Sequence, residues 1–252
     1  MELHLEGKAA IVTGGSRGIG RATAEALARE GCGVGICGRD EGRVQDALST
    51  LRALGAEAFG RALDVAEGGA LREWVDDAAH ALGRLDIVVA NVSALGAGEG
   101  EDSWQRAMDI DLMHTVRTVD AALPHLRRSE AASIVIVSSV SARRPLSAGA
   151  YGTVKAALNH YAKGLAVELA PEGIRANVVS PGTIYVEDGF WGKIERENAT
   201  MFQKALRRNP MGRMGTPDEV ARSIVFLASP ASSFTSGTNL LVDGAITPGV
   251  QM

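Results

Sequence analysis

Short runs that are apolar throughout, such as Ile87-Val88-Val89 and Ile134-Val135-Ile136-Val137, alternate with longer stretches of helical spacing. The continuous runs predict strands buried on both faces, as in parallel sheets. On this pattern strands are expected at Lys8–Thr13, Gly33–Cys37, Ala56–Leu63, Leu85–Asn91, Ser133–Ser139, Arg175–Ser180 and Asn239–Val242. Helices are expected between them. Gly18–Gly31 ends on glycine, Asp40–Leu54 opens on an acidic cap, and Glu67–Gly83 again stops at glycine. Longer helical stretches cover Glu101–Arg128 and Gly149–Pro171. Repeated strand–helix units imply right-handed crossovers and an α/β, Rossmann-type doubly wound parallel sheet of about seven strands with helices on both faces. With no linker or internal repeat, residues 1–252 read as a single domain. One segment, 185–213, breaks the short-loop rhythm and mixes Phe190, Trp191, Met201 and Phe202 with charges. It is either an extra surface helix or a substrate lid, and its place after the sixth strand favours the lid.

Composition narrows the function classes. Aromatic residues make up 4% and the formal net charge is -4, so a nucleic-acid surface is not expected. The basic pairs Arg127-Arg128, Arg143-Arg144 and Arg207-Arg208 are isolated and read as solvated faces or anion contacts. No stretch approaches the ~20 apolar residues of a membrane span. The first eight residues lack a signal-peptide core, and Cys32 and Cys37 are the only cysteines, so a reduced, cytoplasmic protein is expected. The five histidines have no metal-ligand spacing, and no metal is expected.

Candidate chemistry begins at Thr13-Gly14-Gly15-Ser16-Arg17-Gly18-Ile19-Gly20, between the first strand and the first helix. A tight glycine turn brings backbone N–H groups against a pyrophosphate, whose charge the helix N-terminus stabilises. The spacing is G-x-x-x-G-x-G and departs from the usual dinucleotide fingerprint. The second strand ends at Cys37-Gly38-Arg39, with no carboxylate for a ribose 2′-hydroxyl. Arg39, aided by Arg17, suits a 2′-phosphate, so NADP(H) is preferred and NAD(H) is the alternative. Tyr151 and Lys155 are four apart on one helix face, which sets a phenol beside an ammonium. Phenols ordinarily titrate near ~10, and a neighbouring positive charge favours the phenolate needed for proton exchange at neutral pH.

Together the glycine loop, Asp64-Val65, Asn91, Ser138-Ser139, Tyr151/Lys155 and Pro181-Gly182 follow a familiar order. So do Gly212-Arg213-Met214-Gly215-Thr216-Pro217 and Val242-Asp243-Gly244 near the end. The chain resembles the single-domain branch of the short-chain dehydrogenase/reductase family, which includes 3-oxoacyl-carrier-protein reductases. The resemblance implies hydride transfer between a nicotinamide and a small carbonyl or alcohol substrate. It assigns Gly14, Gly18 and Gly20 to the pyrophosphate turn, with Ile19 contributing backbone; Ser16 and Arg17 are cofactor-binding candidates of the same loop, and Arg39 keeps its place at the 2′-phosphate. Asp64 and Val65 go to the adenine, Asn91 to a ribose, and Pro181, Gly182 and Ile184 to the nicotinamide pocket. Tyr151 becomes the general acid/base and Lys155 the ribose-binding partner that tunes it.

A serine should orient the substrate oxygen. Ser138 lies thirteen residues before Tyr151, while Ser139-Val-Ser-Ala-Arg-Arg-Pro145 fits the local pattern given a one-residue deletion. Adjacent strand residues face opposite ways, so only one can serve, and Ser139 is chosen. Four positions depart from the family: Ala90-Asn91-Val92-Ser93 after the fourth strand, Asp111 for the helix asparagine of a proton relay, Val186 for a threonine, and Gly244-Ala245 for a double glycine. Asp111 is kept among the catalytic candidates. The departures motivate an alternative, a non-catalytic NADP(H)-binding scaffold; an epimerase or dehydratase fits less well. Apolar residues on more than one face of the long helices resemble the family's helix-bundle interface, and that resemblance implies a homotetramer.

Overall fold

The computed structural model describes residues 1–95, 100–144 and 148–249. Seven parallel strands form one sheet in the order β3-β2-β1-β4-β5-β6-β7. They are β1 (Ala9–Thr13), β2 (Gly33–Gly38), β3 (Ala58–Ala62), β4 (Ile87–Ala90), β5 (Ser133–Val137), β6 (Arg175–Pro181) and β7 (Asn239–Val242). β1, β4, β5 and β6 are buried along their whole length, as the apolar runs of β4 and β5 imply, and β6 is buried although it carries Arg175, Asn177 and Ser180. Side-chain alternation then divides the core. Ile11 packs with Trp74, Val88 and Ile134 on one face. Val12 packs with Leu27, Val89 and Val135 on the other.

The first face is covered by α3 (Gly68–Ala81), α5 (His114–Leu126) and α6 (Ala150–Leu169), through residues such as Leu71, Val119 and Leu158. The second is covered by α1 (Gly18–Arg29), α2 (Glu41–Ala53) and α9 (Pro217–Ala228), through Leu27, Leu48 and Ile224. Local chemistry marks the helix starts. The Asp40 carboxylate accepts from the Arg43 amide at 2.9 Å, and Thr216 and Glu219 form a reciprocal capping box behind Pro217. Strand order reverses between β1 and β4, which opens a crevice at their carboxyl ends, where ligands bind in such sheets.

Two expected elements differ. The single helix read over Glu101–Arg128 is α4 (Gly100–Ala107), a π turn (Met108–Met113) and then α5. The wider π turn changes the helical phase and leaves Asp111 and His114 buried, a change the 3.6-residue period cannot reveal. Segment 185–213 holds two helices, α7 (Phe190–Glu197) and α8 (Ala199–Arg208), the second capped by Asn198, whose side chain accepts from the Met201 amide. Gly192 is obligatory where α7 folds back, because a Cβ there would lie 1.9 Å from the Glu187 carbonyl oxygen.

Candidate active site

The glycine loop leaves β1 with Gly14 at φ +66° and Gly18 at φ +55°, left-handed conformations that glycine adopts without strain. Gly14, Ser16, Arg17, Gly18 and Ile19 line a cleft of about 930 Å³ at the carboxyl edge of the sheet. Gly20 does not line it. A Cβ there would lie 2.2 Å from the Gly14 carbonyl oxygen, so Gly20 lets α1 close onto the turn from behind. Asn91 Nδ2 donates to the Thr13 carbonyl at 3.0 Å, and its backbone N–H donates to Thr13 Oγ1 at 2.9 Å. The same hydroxyl lies 3.2 Å from His114 Nε2, while His114 Nδ1 contacts the Ile110 carbonyl. A carbonyl only accepts, so the proton is on Nδ1 and Nε2 accepts from Thr13. Burial, then the Lys155 charge, holds His114 down at about 4, which keeps the ring neutral.

At the far end of the cleft a Cβ on Gly38 would lie 2.5 Å from Ser16 Oγ, so a carboxylate-bearing residue does not fit there without displacing Ser16. Arg17 and Arg39 line this end, exposed, and among the described residues neither has a carboxylate partner. Asp64 receives the Ala66 amide on one oxygen at 3.0 Å, and Val65 is buried beside it. The glycine turn, the two arginines and the absence of a carboxylate at Gly38 together match a dinucleotide bearing an extra phosphate.

The reaction end lies over β5 and α6. Ser138 Oγ donates to the Lys155 carbonyl at 3.0 Å and is committed to the helix. Ser139 Oγ accepts the Ser141 amide at 3.1 Å, which leaves its own hydroxyl proton to donate. Both serines line the cleft, as do Tyr151 and Lys155. The Pro145 end of the run after Ser139 lies outside the described residues. Lys155 Nζ sits 5.9 Å from the centre of the Tyr151 ring, donates to the Val137 carbonyl at 3.1 Å, and lies 3.1 Å from Asp111 Oδ1. The Lys155 and Asp111 side chains are 2% and 0% exposed. Lys155 nevertheless lines the cleft, whereas Asp111 is not among its lining residues. It sits behind Lys155, and its other oxygen accepts the Ala94 amide at 3.0 Å.

Pro181, Gly182 and Ile184 line the cleft after β6. A Cβ on Gly182 would lie 2.8 Å from Asp243 Cα, so this strand end must be glycine to pack against the chain beyond β7. Ala245, at the second position of the family's double glycine, is left-handed at φ +64°. Val186, Phe190, Trp191, Met201, Lys204 and Arg208 bring segment 185–213 to the cleft wall. Arg106, Arg144 and Ile246 also line it. These three, and the His114–Thr13 bond, carry no motif in sequence; only Arg144 and Arg208 had a signal, as members of isolated basic pairs.

A switch-point cleft with such a turn defines the class, a nucleotide-binding α/β protein. A family profile described as enoyl-(acyl carrier protein) reductase matches residues 14–247. Isoepoxydon dehydrogenase patN of Penicillium expansum is 38% identical over 252 residues, covering 98% of this chain and 97% of that protein. A short chain dehydrogenase from Burkholderia cenocepacia J2315, solved in complex with NADP, matches at TM-score 0.87 and 34% identity over 96% of this chain and 98% of its own. L-sorbose reductase from Gluconobacter frateurii, complexed with NADPH and L-sorbose, matches at TM-score 0.91 and 29% identity, over 99% and 100%. The chain belongs to the short-chain dehydrogenase/reductase family. It is a nicotinamide-dependent oxidoreductase of alcohol and carbonyl groups.

Proposed function

We propose that the protein is an NADP(H)-preferring carbonyl reductase or alcohol dehydrogenase in which Tyr151 is the general acid/base. The observation that carries this reading is the convergence of Ser139, Tyr151 and a buried Lys155 on one wall of the cleft. When bound, the nicotinamide supplies or accepts the hydride. Ser139 donates a hydrogen bond to the substrate oxygen and so shares the charge that develops there. Tyr151 gives that oxygen a proton in reduction and takes it in oxidation. Lys155 stabilises the phenolate and holds the ribose hydroxyls, and Asp111 positions Lys155 from behind. Arg17 and Arg39 hold the 2′-phosphate, Asp64 and Val65 the adenine, and Asn91, besides pinning the glycine loop, the ribose. The NADP and NADPH in the related structures support the same preference.

The 185–213 segment acts as the substrate lid of a single domain that assembles as a homotetramer. The unbridged, buried thiols of Cys32 and Cys37 fit a reducing cytoplasmic setting.

Titration with NADPH and NADH, followed by a carbonyl screen on the wild type and Tyr151→Phe, tests this function. NADPH should bind more tightly, and Tyr151→Phe should still bind it while turnover falls about 10²- to 10⁴-fold. NADPH binding with no turnover of any carbonyl by the wild type would favour the non-catalytic scaffold instead.

A further inference from the structure

The cleft carries a charge pattern that the reaction itself does not use. Arg106 from α4, Arg144 from the turn after β5, and Lys204 and Arg208 from α8 all line it. Among the described residues, the only acidic one on the cleft wall is Asp64, beside Val65 at the end proposed for adenine. Among the described residues none of the four cations has a carboxylate partner, whereas Arg43, Arg127 and Arg213 elsewhere on the surface are each paired with one. Arg144 is half-buried, and its Nη1 is fixed by a hydrogen bond to the Ile246 carbonyl at 2.8 Å. That bond occupies one N–H of the guanidinium and orients the rest. Gathering four positive charges from three elements is unfavourable in a chain whose formal charge is -4, unless an anion offsets their repulsion. Phe190, Trp191 and Met201 supply an apolar wall to the same cavity.

We propose that the substrate is an amphiphilic carbonyl or alcohol carrying an anionic group, a carboxylate or a phosphate, which Arg144 and Arg208 bind while its apolar body lies against the α7–α8 wall. The inference rests on the carbonyl-reductase reading above. The cofactor's own phosphates do not account for these cations, because the glycine loop with Arg17 and Arg39 serves them at the other end. Reduction is balanced as one ketone, one NADPH and one proton giving one secondary alcohol and NADP+. The C=O bond becomes C–H and O–H, the proton arriving through Tyr151. The anion does not take part and acts only in orientation.

Matched probes test it. Turnover of 4-acetylbenzoate is compared with that of its methyl ester, and of 4-acetylphenyl phosphate with that of 4-methoxyacetophenone, all with NADPH. The anionic member should show kcat/KM on the order of tenfold higher or more, an advantage that shrinks as salt rises. Arg144→Gln and Arg208→Gln should move the anion-to-neutral ratio towards one, mainly through KM, whereas Arg127→Gln, remote from the cleft, should not change it. Thermal midpoints confirm that each variant folds. The larger of the two advantages distinguishes carboxylate from phosphate. Equal or better turnover of the neutral members, or an advantage that survives both cleft substitutions, would overturn the proposal and leave the reductase reading standing. If neither member of either pair is reduced, the carbonyl screen above decides the reductase reading, and titration of 4-acetylbenzoate and its ester into the NADP+ complex, read by tryptophan fluorescence, decides the anion site alone. Binding of the acid but not the ester supports it; equal binding or none overturns it.

Discussion

At the scale of the residue, two buried polar groups under the cleft set expectations that no motif expresses. His114 is neutral in the folded chain at about 4, against an ordinary value of about 6.5 when unfolded. Between those values the unfolded chain binds the extra proton, so stability is complete above pH ~6.5 and declines as the pH falls towards 4. The full displacement corresponds to about 3 kcal/mol. Urea midpoints between pH 4.5 and 7.5 should fall with acid in the wild type and flatten in His114→Gln, which retains an acceptor for Thr13. Parallel slopes in the two proteins would remove His114 from the account. Asp111 sets the second expectation. Breaking a buried ion pair costs on the order of 3 kcal/mol, since the surviving charge stays desolvated. Asp111→Leu should lose about that much by denaturant unfolding, and Asp111→Asn less, because its amide oxygen can still accept the Ala94 N–H.

At the scale of the element, helix ends decide more than helix interiors. Arg175 on β6 is buried without a carboxylate, and its guanidinium donates to the Leu227, Ala228 and Ser229 carbonyls at 2.8–3.2 Å and to Ser232 Oγ at 2.8 Å. A cation thus satisfies the buried carbonyls that end α9 and complements the negative end of its dipole. Arg175→Met should cost roughly 2–3 kcal/mol, measured as a lowered denaturant midpoint, because several acceptors lose their donor at once. Wild-type stability in this variant would mean that solvent replaces the guanidinium. Most elements were legible from their patterns: the seven strands lie where the apolar, β-rich segments put them, to within a few residues at the ends. The π turn was not, because a change of phase inside an apolar helix leaves composition and period almost unaltered.

At the scale of the whole molecule, the acidic chain presents a cationic cleft and two exposed apolar positions close to each other in the fold. Val167 stands on the outer face of α6, and Phe234 lies fully exposed shortly before β7. Gly237, three residues after Phe234, lies against Lys163 and Ala166 of α6, which brings the segment before β7 onto that helix. Large exposed apolar side chains gathered this way are a mark of subunit contact. Sedimentation should therefore give a homotetramer, and Phe234→Lys should shift it towards smaller species. A wild-type monomer across micromolar concentrations would end that reading. Among the described residues no helix is long and apolar enough to cross a membrane.

By itself the sequence determined the order of strands and helices, the glycine turn and the Tyr151/Lys155 pair. Each of these depends on spacing within one segment, where the covalent chain already dictates which side chains share a face. Tertiary structure decided what depends on approach between segments. Gly20 proved to be a packing glycine and Asp111 a buried partner of Lys155, and Ser138 was taken up by the Lys155 carbonyl while Ser139 kept a free donor. Arg106, Arg144, Lys204 and Arg208 came from three separate elements to line one cleft. No local pattern encodes such meetings, because the crossovers of the parallel sheet bring distant segments to the same edge, and only their packing sets which side chains face the cleft.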